Sequence, residues 1–137
     1  QDMEVEVALD SGCVDHVCDK SDAPGYCLED SDGSRCKQNF IVGNGERVPN
    51  EGQLTLLLGA EVDNAVNSVN STFQVARVTR PLMSVSKICD QGFTCHFDDK
   101  RGVVNSKAGK VIRVFERKGG LHSCKMRLRQ PFQGPGR

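Results

Sequence analysis

An aspartate, a serine and a glycine follow an apolar segment close to the N-terminus. Asp10, Ser11 and Gly12 come directly after Val7-Ala8-Leu9. A carboxylate at the end of a buried strand lies where burial and neighbouring groups act on its ionisation. The hydroxyl can form a hydrogen bond with it, and the glycine lets a second backbone approach closely. The segment therefore predicts acid–base chemistry at Asp10, although Asp-Ser-Gly also occurs in ordinary turns.

Cysteine and histidine offer a second kind of chemistry, which the spacing does not favour. Seven cysteines lie at positions 13, 18, 27, 36, 89, 95 and 124, and no two form a Cys-x-x-Cys pair. A metal site at Cys13, His16 and Cys18 and a disulfide framework are both alternatives, but zinc sites usually have closer pairs and frameworks an even count. We favour reduced cysteines that pack as small hydrophobes, and we expect no metal and no cofactor.

The elements that must position Asp10 are mostly short strands. Period-two alternation and turn residues predict strands over residues 3–9, 40–42, 53–58, 72–78, 93–97, 103–104, 111–115 and 122–128. Polar composition predicts a surface loop over 19–39 and a second loop over 63–70. One short helix is predicted from the spacing of Leu82, Val85 and Cys89, with Gly92 as its C-terminal cap. On the last strand, His122 shares the apolar face and is interpreted as a core or edge residue.

Charge is distributed unevenly along the chain although it sums to zero. Residues 1–68 hold 14 acidic and 4 basic side chains, and residues 69–137 hold 4 acidic and 14 basic ones. The basic residues occur singly or in pairs, whereas nucleic-acid-binding tails carry longer runs. This argues against a nucleic-acid partner and favours a polarised, solvated surface.

Length and composition indicate one globular domain. The chain has 137 residues, of which 37% are hydrophobic, enough to bury a core without metals or disulfides. The longest apolar run is residues 56–60, too short to span a membrane. The chain starts at Gln1 without a leader pattern, which predicts an excised domain in an intracellular setting such as the cytoplasm. Residues 129–137 have the composition of a Pro/Gly-rich linker.

Three segments in a fixed order carry the most specific signal. Residues 9–17 read Leu-Asp-Ser-Gly-Cys-Val-Asp-His-Val, residues 42–52 form a strand, an Asn-Gly turn and a following glycine, and residues 81–93 read Pro-Leu-Met-Ser-Val-Ser-Lys-Ile-Cys-Asp-Gln-Gly-Phe. Together they resemble the retrovirus-like (retropepsin-type) aspartic proteases, most closely those encoded by copia-type retrotransposons. The resemblance covers about residues 3–128. Cys13 departs from the usual alanine, the acidic loop 19–39 is unusual, and Ser84 stands where classical retroviral proteases tend to have glycine.

The resemblance implies a fold and an activity. The expected fold is all-β, a small retropepsin-like closed β-fold over residues 1–128 with a flap hairpin at 40–54 and one short helix. The expected activity is aspartic endopeptidase, with Asp10 as the catalytic residue and Ser11 and Gly12 supporting it. An extended peptide substrate from a polyprotein, in the cytoplasm or a retroelement particle, would be covered by Val42, Gly43, Asn44 and Gly45. Asp15 either contacts the substrate backbone or is simply solvated, and His16 is expected to be structural.

The resemblance also implies a homodimer, because the reaction needs two carboxylates that share a proton. The chain offers one convincing candidate. Asp15 lies on the same turn as Asp10, and Asp30 follows no apolar strand. A second copy would supply the partner carboxylate across a two-fold axis, with Ser11 bracing the pair. Two alternatives remain open: a catalytically inactive dimerisation or peptide-binding module with the same fold, and an unrelated secreted domain stapled by disulfides.

Overall fold

The computed structural model describes residues 2–131 of the chain, and these form a mostly β structure. Two short helices, α1 (Asp32–Arg35) and α2 (Val85–Asp90), interrupt the strands. The strands are β1 (Met3–Asp10), β2 (Val17–Cys18), β3 (Asn39–Ile41), β4 (Arg47–Pro49), β5 (Gly52–Val62), β6 (Ala65–Val75), β7 (Leu82–Ser84), β8 (Thr94–Phe97), β9 (Arg101–Asn105), β10 (Val111–Lys118) and β11 (Leu121–Leu128). The predicted all-β class is confirmed.

Nine of the strands form one sheet that closes on itself. Its hydrogen-bonded order is β1-β7-β2-β6-β5-β11-β10-β9-β8, and β1 also pairs with β11. The extra pairing joins β1, β7, β2, β6, β5 and β11 in a ring, from which β10, β9 and β8 extend. β1 therefore has both edges occupied: it is antiparallel to β11 from Met3 to Leu9 and parallel to β7 from Ala8 to Asp10. The strand that ends in Asp10 is held by neighbours on both sides.

The alternating apolar residues of these strands meet in one core. Its largest fully buried side chains are Phe73, Phe115, Leu54, Leu58, Met126 and Leu128. Each contributes about 1.5–3 kcal/mol relative to an exposed position. Val7 and Leu9 of β1 belong to the same cluster, as the alternation predicted. The core thus anchors the strand that positions Asp10.

The predicted loop over residues 63–70 is wrong. β5 and β6 form a continuous hairpin in which Gly52 pairs with Val75 and Val62 pairs with Ala65. Asp63 and Asn64 make its tight turn with φ of 51° and 65°, a conformation that Asp and Asn tolerate better than most residues. The distal part of the hairpin is solvated on both faces, so its side chains show no alternation and resemble a loop in sequence.

The helical predictions need two corrections. Leu82 belongs to strand β7, and the helix occupies only Val85–Asp90. Gly92 lies just beyond it with φ of 96°, as expected of a C-terminal cap. The predicted loop 19–39 contains a 3₁₀ turn, Lys20–Asp22, and helix α1, each with a capping box. These four-residue and three-residue turns are stabilised by local caps, which hydrophobic periodicity does not detect.

The predicted flap has different boundaries in the structure. The hairpin of β3 and β4 spans residues 39–49 and forms a separate two-stranded sheet, whereas residues 52–54 already belong to β5. Of the predicted linker, residues 129–137, the last six, 132–137, lie outside the described residues. Among residues 2–131, no helix has the length and apolar character needed to cross a membrane.

Candidate active site

Asp10 is the last residue of β1, and its own loop binds both oxygens of its carboxylate. The backbone N–H of Gly12 donates to Oδ1 at 2.7 Å. The thiol of Cys13 donates to Oδ2 at 3.2 Å. A Cβ atom at Gly12 would lie 3.3 Å from Oδ1, which explains why the smallest residue follows Ser11. The carboxylate is therefore oriented by donors from the turn that the sequence singled out.

Helix α2 supports this turn from below. The buried Ser84 caps the helix, its Oγ accepting from the backbone N–H of Lys87 at 3.1 Å. The same hydroxyl donates to the carbonyl oxygen of Cys13 at 2.7 Å, and Ser86 Oγ lies 3.4 Å from that oxygen. A helix was predicted here from its apolar spacing, and the two hydroxyls were not identified. The signal that could have found them is the Ser-x-Ser pattern at the helix start, since serine is a preferred N-cap.

His16 lies in the protein interior and makes structural contacts. It is 4% exposed, its Nδ1 accepts from the backbone N–H of Ser84 at 3.0 Å, and its ring centroid lies 5.3 Å from that of Phe73. Burial lowers the pKa of His16 from 6.5 to about 4, and the positive charge of Lys87 adds to this effect against the opposing charge of Asp15. A neutral imidazole with an occupied Nδ1 agrees with the structural role expected for this residue.

Asp15 takes part in an ion pair, which neither of its two predicted roles anticipated. Its Oδ1 lies 2.8 Å from the Nζ of Lys87 in α2, and about one third of each side chain is exposed. An ion pair at this exposure contributes up to about 1 kcal/mol. The contact joins the turn after β1 to α2 a second time, while Asp15 still borders the groove described next.

A groove of about 650 Å³ lies between the Asp10 turn and the hairpin of β3 and β4. Asp10, Gly12 and Asp15 border it on one side, and Val42, Gly43 and Asn44 on the other. Gly45 is not among its lining residues. The remaining lining is mostly apolar or small and comes from residues that the sequence analysis did not select: Cys13, Val14, Val17, Asn39, Phe40, Ile41, Glu46, Arg77, Val78, Thr79 and Leu82.

The tip of the β3–β4 hairpin is a compact turn. Val42 N–H donates to the Glu46 carbonyl at 2.9 Å, and Gly45 N–H donates to the Val42 carbonyl at 2.8 Å. Gly45 has φ of 85°, where glycine is favoured, but Gly43 does not adopt a positive φ. Below the tip, Phe40 and Val42 pack on a small apolar cluster of Val17, Val48 and Ala76 that is separate from the main core.

Asp10 also borders a second recess, of about 500 Å³. Ser11 lines this recess and is exposed. Its rim carries two partly exposed apolar side chains, Phe97 and Leu121. The ring of His122 packs edge-on against Phe97, and within residues 2–131 its buried Nε2 has no hydrogen-bond partner. Asp10 and Ser11 therefore open toward a face that no part of the described chain covers.

The described residues do not bring together the side chains that a metal site or a disulfide framework would need. Within residues 2–131, no three His, Cys, Asp or Glu side chains gather in a way that could hold a metal ion. His16 points its Nδ1 at Ser84 instead of joining Cys13 and Cys18 as a ligand. All seven cysteines lie in the described range and are unpaired there. Burial raises the pKa of Cys18 to about 12, in keeping with a packed, protonated thiol.

Comparison with known proteins identifies no relative from which a function could be inferred. No family model, no curated protein and no solved structure matches this chain. What this chain does must therefore be inferred from the residues and geometry of the groove around Asp10.

Proposed function

We propose that this chain is an aspartic endopeptidase that processes a polyprotein of the copia-type retrotransposon class. The observation that carries the proposal is the position of Asp10. It stands at the end of a buried strand, both of its carboxylate oxygens accept hydrogen bonds from the following turn, and it borders a groove beneath a two-stranded hairpin. The order and spacing of three segments that resemble this protease family supports the same conclusion.

The chemistry requires a second carboxylate. In aspartic proteases one carboxylate takes a proton from the attacking water while the other donates a proton to the peptide carbonyl oxygen, and the pair shares one proton because two like charges so close cannot both ionise. Among residues 2–131, Asp10 makes its hydrogen bonds within its own turn, and Asp15 is paired with Lys87. We therefore propose a homodimer in which each copy contributes Asp10.

The uncovered face beside Asp10 supports this arrangement. Asp10 and Ser11 border the second recess, and the exposed parts of Phe97 and Leu121 flank them. A second copy seated there would bring two Asp10-Ser11-Gly12 turns together and cover apolar surface that is otherwise solvated. The Ser11 hydroxyl, which makes no hydrogen bond within residues 2–131, would then brace the carboxylate pair.

The substrate is proposed to be an extended peptide lying between Asp10 and the β3–β4 hairpin. An extended chain can form main-chain hydrogen bonds with a strand edge, while alternate side chains enter pockets. The lining by Phe40, Val42 and Leu82 favours apolar side chains at those positions. Because one carboxylate of the pair must keep its proton, we expect an acidic pH optimum. Since the proposed mechanism uses no metal ion, chelators should leave the activity unchanged.

The test is peptide cleavage as a function of protein concentration. Purified chain is incubated with a peptide mixture of known sequences, with cleavage followed by mass spectrometry and oligomeric state by sedimentation. We expect cleavage that a statine-containing peptide blocks, and a specific activity that falls on dilution below the dimer dissociation constant. Binding of peptides without any cleavage in a dimeric sample would instead support the inactive module, and constant specific activity in a monomeric sample would contradict the shared site.

A further inference from the structure

We infer that Cys13 is a positioning residue of the proposed active site, whose thiol fixes the orientation of the Asp10 carboxylate. The effect on catalysis rests on the proposed function, whereas the contact itself can be tested without it. The Sγ atom of Cys13 lies 3.2 Å from Oδ2 of Asp10, within hydrogen-bond distance for sulfur.

The two oxygens of Asp10 have different donors, and both are needed to define the carboxylate plane. Oδ1 accepts from the backbone N–H of Gly12 at 2.7 Å. With this bond alone the carboxylate could still rotate about its Cβ–Cγ bond, because terminal sp³–sp² torsions have broad minima. The thiol on Oδ2 removes that freedom. A group that must meet a shared proton and a water in one geometry gains from this restriction.

The thiol can act in this way because the backbone of Cys13 is itself held. Its carbonyl oxygen accepts from Ser84 Oγ at 2.7 Å and lies 3.4 Å from Ser86 Oγ. Ser84 is fully buried and caps α2, so the hydroxyl that contacts Cys13 is fixed by the helix. A chain of contacts therefore runs from α2 through the Cys13 backbone and thiol to Asp10.

The Cys13 thiol stays protonated, which suits a hydrogen-bond donor and not a nucleophile. Burial, the hydrogen bond to Asp10 and the charges of Asp10 and Asp15 raise the pKa of the Cys13 thiol from 9.0 to about 12. Since the thiolate is the reactive form of cysteine, this side chain is poorly reactive in neutral or acidic solution. It remains a neutral S–H donor across the pH range in which an aspartic protease works.

The catalytic test compares Cys13→Ala with Cys13→Ser. Alanine removes the donor, and serine keeps one. Because a thiol is a weak donor to a charged acceptor, we expect Cys13→Ala to lower kcat about 3- to 10-fold with KM within about twofold of wild type. Cys13→Ser should retain at least about half of the wild-type kcat on the same reasoning. Cys36→Ala, at an exposed thiol, is the matched control and should change neither constant.

A second measurement follows the thiol itself and does not need proteolysis. In Asp10→Asn the negative charge and its strong acceptor are lost, so the pKa of Cys13 should fall and its alkylation by iodoacetamide at pH 9 should become at least about threefold faster. Asp30→Asn, in a distant polar segment, is the control and should leave the rate unchanged. The infrared spectrum of wild type minus that of Cys13→Ala isolates the S–H stretching band of Cys13. In the Asp10→Asn background this band should shift to higher wavenumber, because the thiol donates a weaker hydrogen bond.

The outcomes separate this inference from the proposed function. Equal Cys13 alkylation rates in wild type and Asp10→Asn would overturn the contact, and an unchanged kcat in Cys13→Ala would overturn its catalytic role. A wild-type chain that never cleaves peptides would defeat the proposed function and the catalytic role with it. Faster alkylation in Asp10→Asn would still support the hydrogen bond in that case.

Discussion

The two sides of the groove are built in opposite ways. On one side the Asp10 turn is tied to the closed sheet and to α2 through Cys13, His16 and the Asp15–Lys87 pair. On the other side, β3 and β4 pair only with each other and rest on a small separate apolar cluster. Ile41 of this hairpin is 72% exposed.

The difference agrees with the proposed function, in which a rigid site is combined with a cover of low local stability. Segments with few buried apolar contacts open at a lower free energy than the global unfolding reaction. A hinged cover admits substrate and then excludes water, whereas a catalytic carboxylate must hold its geometry. Changes on the Asp10 side should therefore affect chemistry and global stability, and changes in the hairpin should affect substrate handling alone.

The largest expected effect is the loss of the carboxylate. Asp10→Asn should reduce kcat/KM by at least about 10³-fold, because the shared proton and the general base both disappear. Global stability should change by less than about 1 kcal/mol, since Asn retains the acceptor for Gly12. Mixing this variant with wild-type chain should lower wild-type activity through mixed dimers. Undiminished cleavage by Asp10→Asn would rule out the mechanism, and Asp30→Asn is the matched control.

The second prediction concerns the acid sensitivity of the rigid side. The folded pKa of His16, about 4, lies below its ordinary value of 6.5. The unfolded chain therefore binds this proton first as the pH falls. The contribution of neutral His16 to the free energy of unfolding should be fully present above pH 6.5. It should decrease by about 3 kcal/mol as the pH falls to 4. Urea unfolding of wild type and His16→Gln across this range checks the assignment, because the variant should lose this part of the pH dependence. An identical slope in both proteins would contradict it.

The third prediction tests the support beneath the turn. Ser84→Ala removes the N-cap of α2 and the donor to Cys13, which should cost about 1–3 kcal/mol of the free energy of unfolding. It should also lower kcat, because the backbone of Cys13 loses its fixed position. Ser86→Ala is the matched control, because Ser86 is exposed and its hydroxyl lies 3.4 Å from the same oxygen. We expect this variant to lower the free energy of unfolding by less than about 0.5 kcal/mol. Denaturant titration with parallel kinetics measures both, and equal effects of the two variants would count against this role of Ser84.

The smallest expected effect is at the hairpin tip. Gly45→Ala places a side chain at φ of 85° and should destabilise the local turn by about 1 kcal/mol. No atom lies within 4 Å of the new Cβ at Gly45 or at Gly43, so Gly43→Ala controls for added bulk without the unfavourable φ. We expect Gly45→Ala to change kcat/KM a few-fold with an unchanged unfolding midpoint. Gly43→Ala, which adds a methyl group in the groove without the unfavourable φ, should change kcat/KM less than Gly45→Ala does and should also leave the midpoint unchanged. A shift in the global midpoint would show that the hairpin is not independent of the core.

Some features were accessible from the sequence because they depend on local pattern. The alternation of Met3 to Leu9 defined β1 and placed Asp10 at its end, and Gly92 marked the end of α2. Gly119 and Gly120, which lie between the predicted strands 111–115 and 122–128, both have positive φ, as a tight turn between two strands favours. In each case neighbouring residues along the chain set the conformation. The all-β class followed from many such local signals.

Other features depend on residues distant in sequence, and only the tertiary structure decided them. Residues 63–70 of the long β5–β6 hairpin were predicted as a loop because residues 61–70 are exposed or only half-buried, so no buried face imposes an alternation on them. Lys87 pairs with Asp15 because parallel pairing of β1 with β7 brings the start of α2 beside the turn after Asp10. The same register sets Ser84 against the carbonyl of Cys13, 71 residues away. The sequence by itself determined which carboxylate ends a buried strand. The closure of the sheet decided which side chains hold it, because hydrogen bonds between distant segments form only where strand register brings their donors and acceptors together.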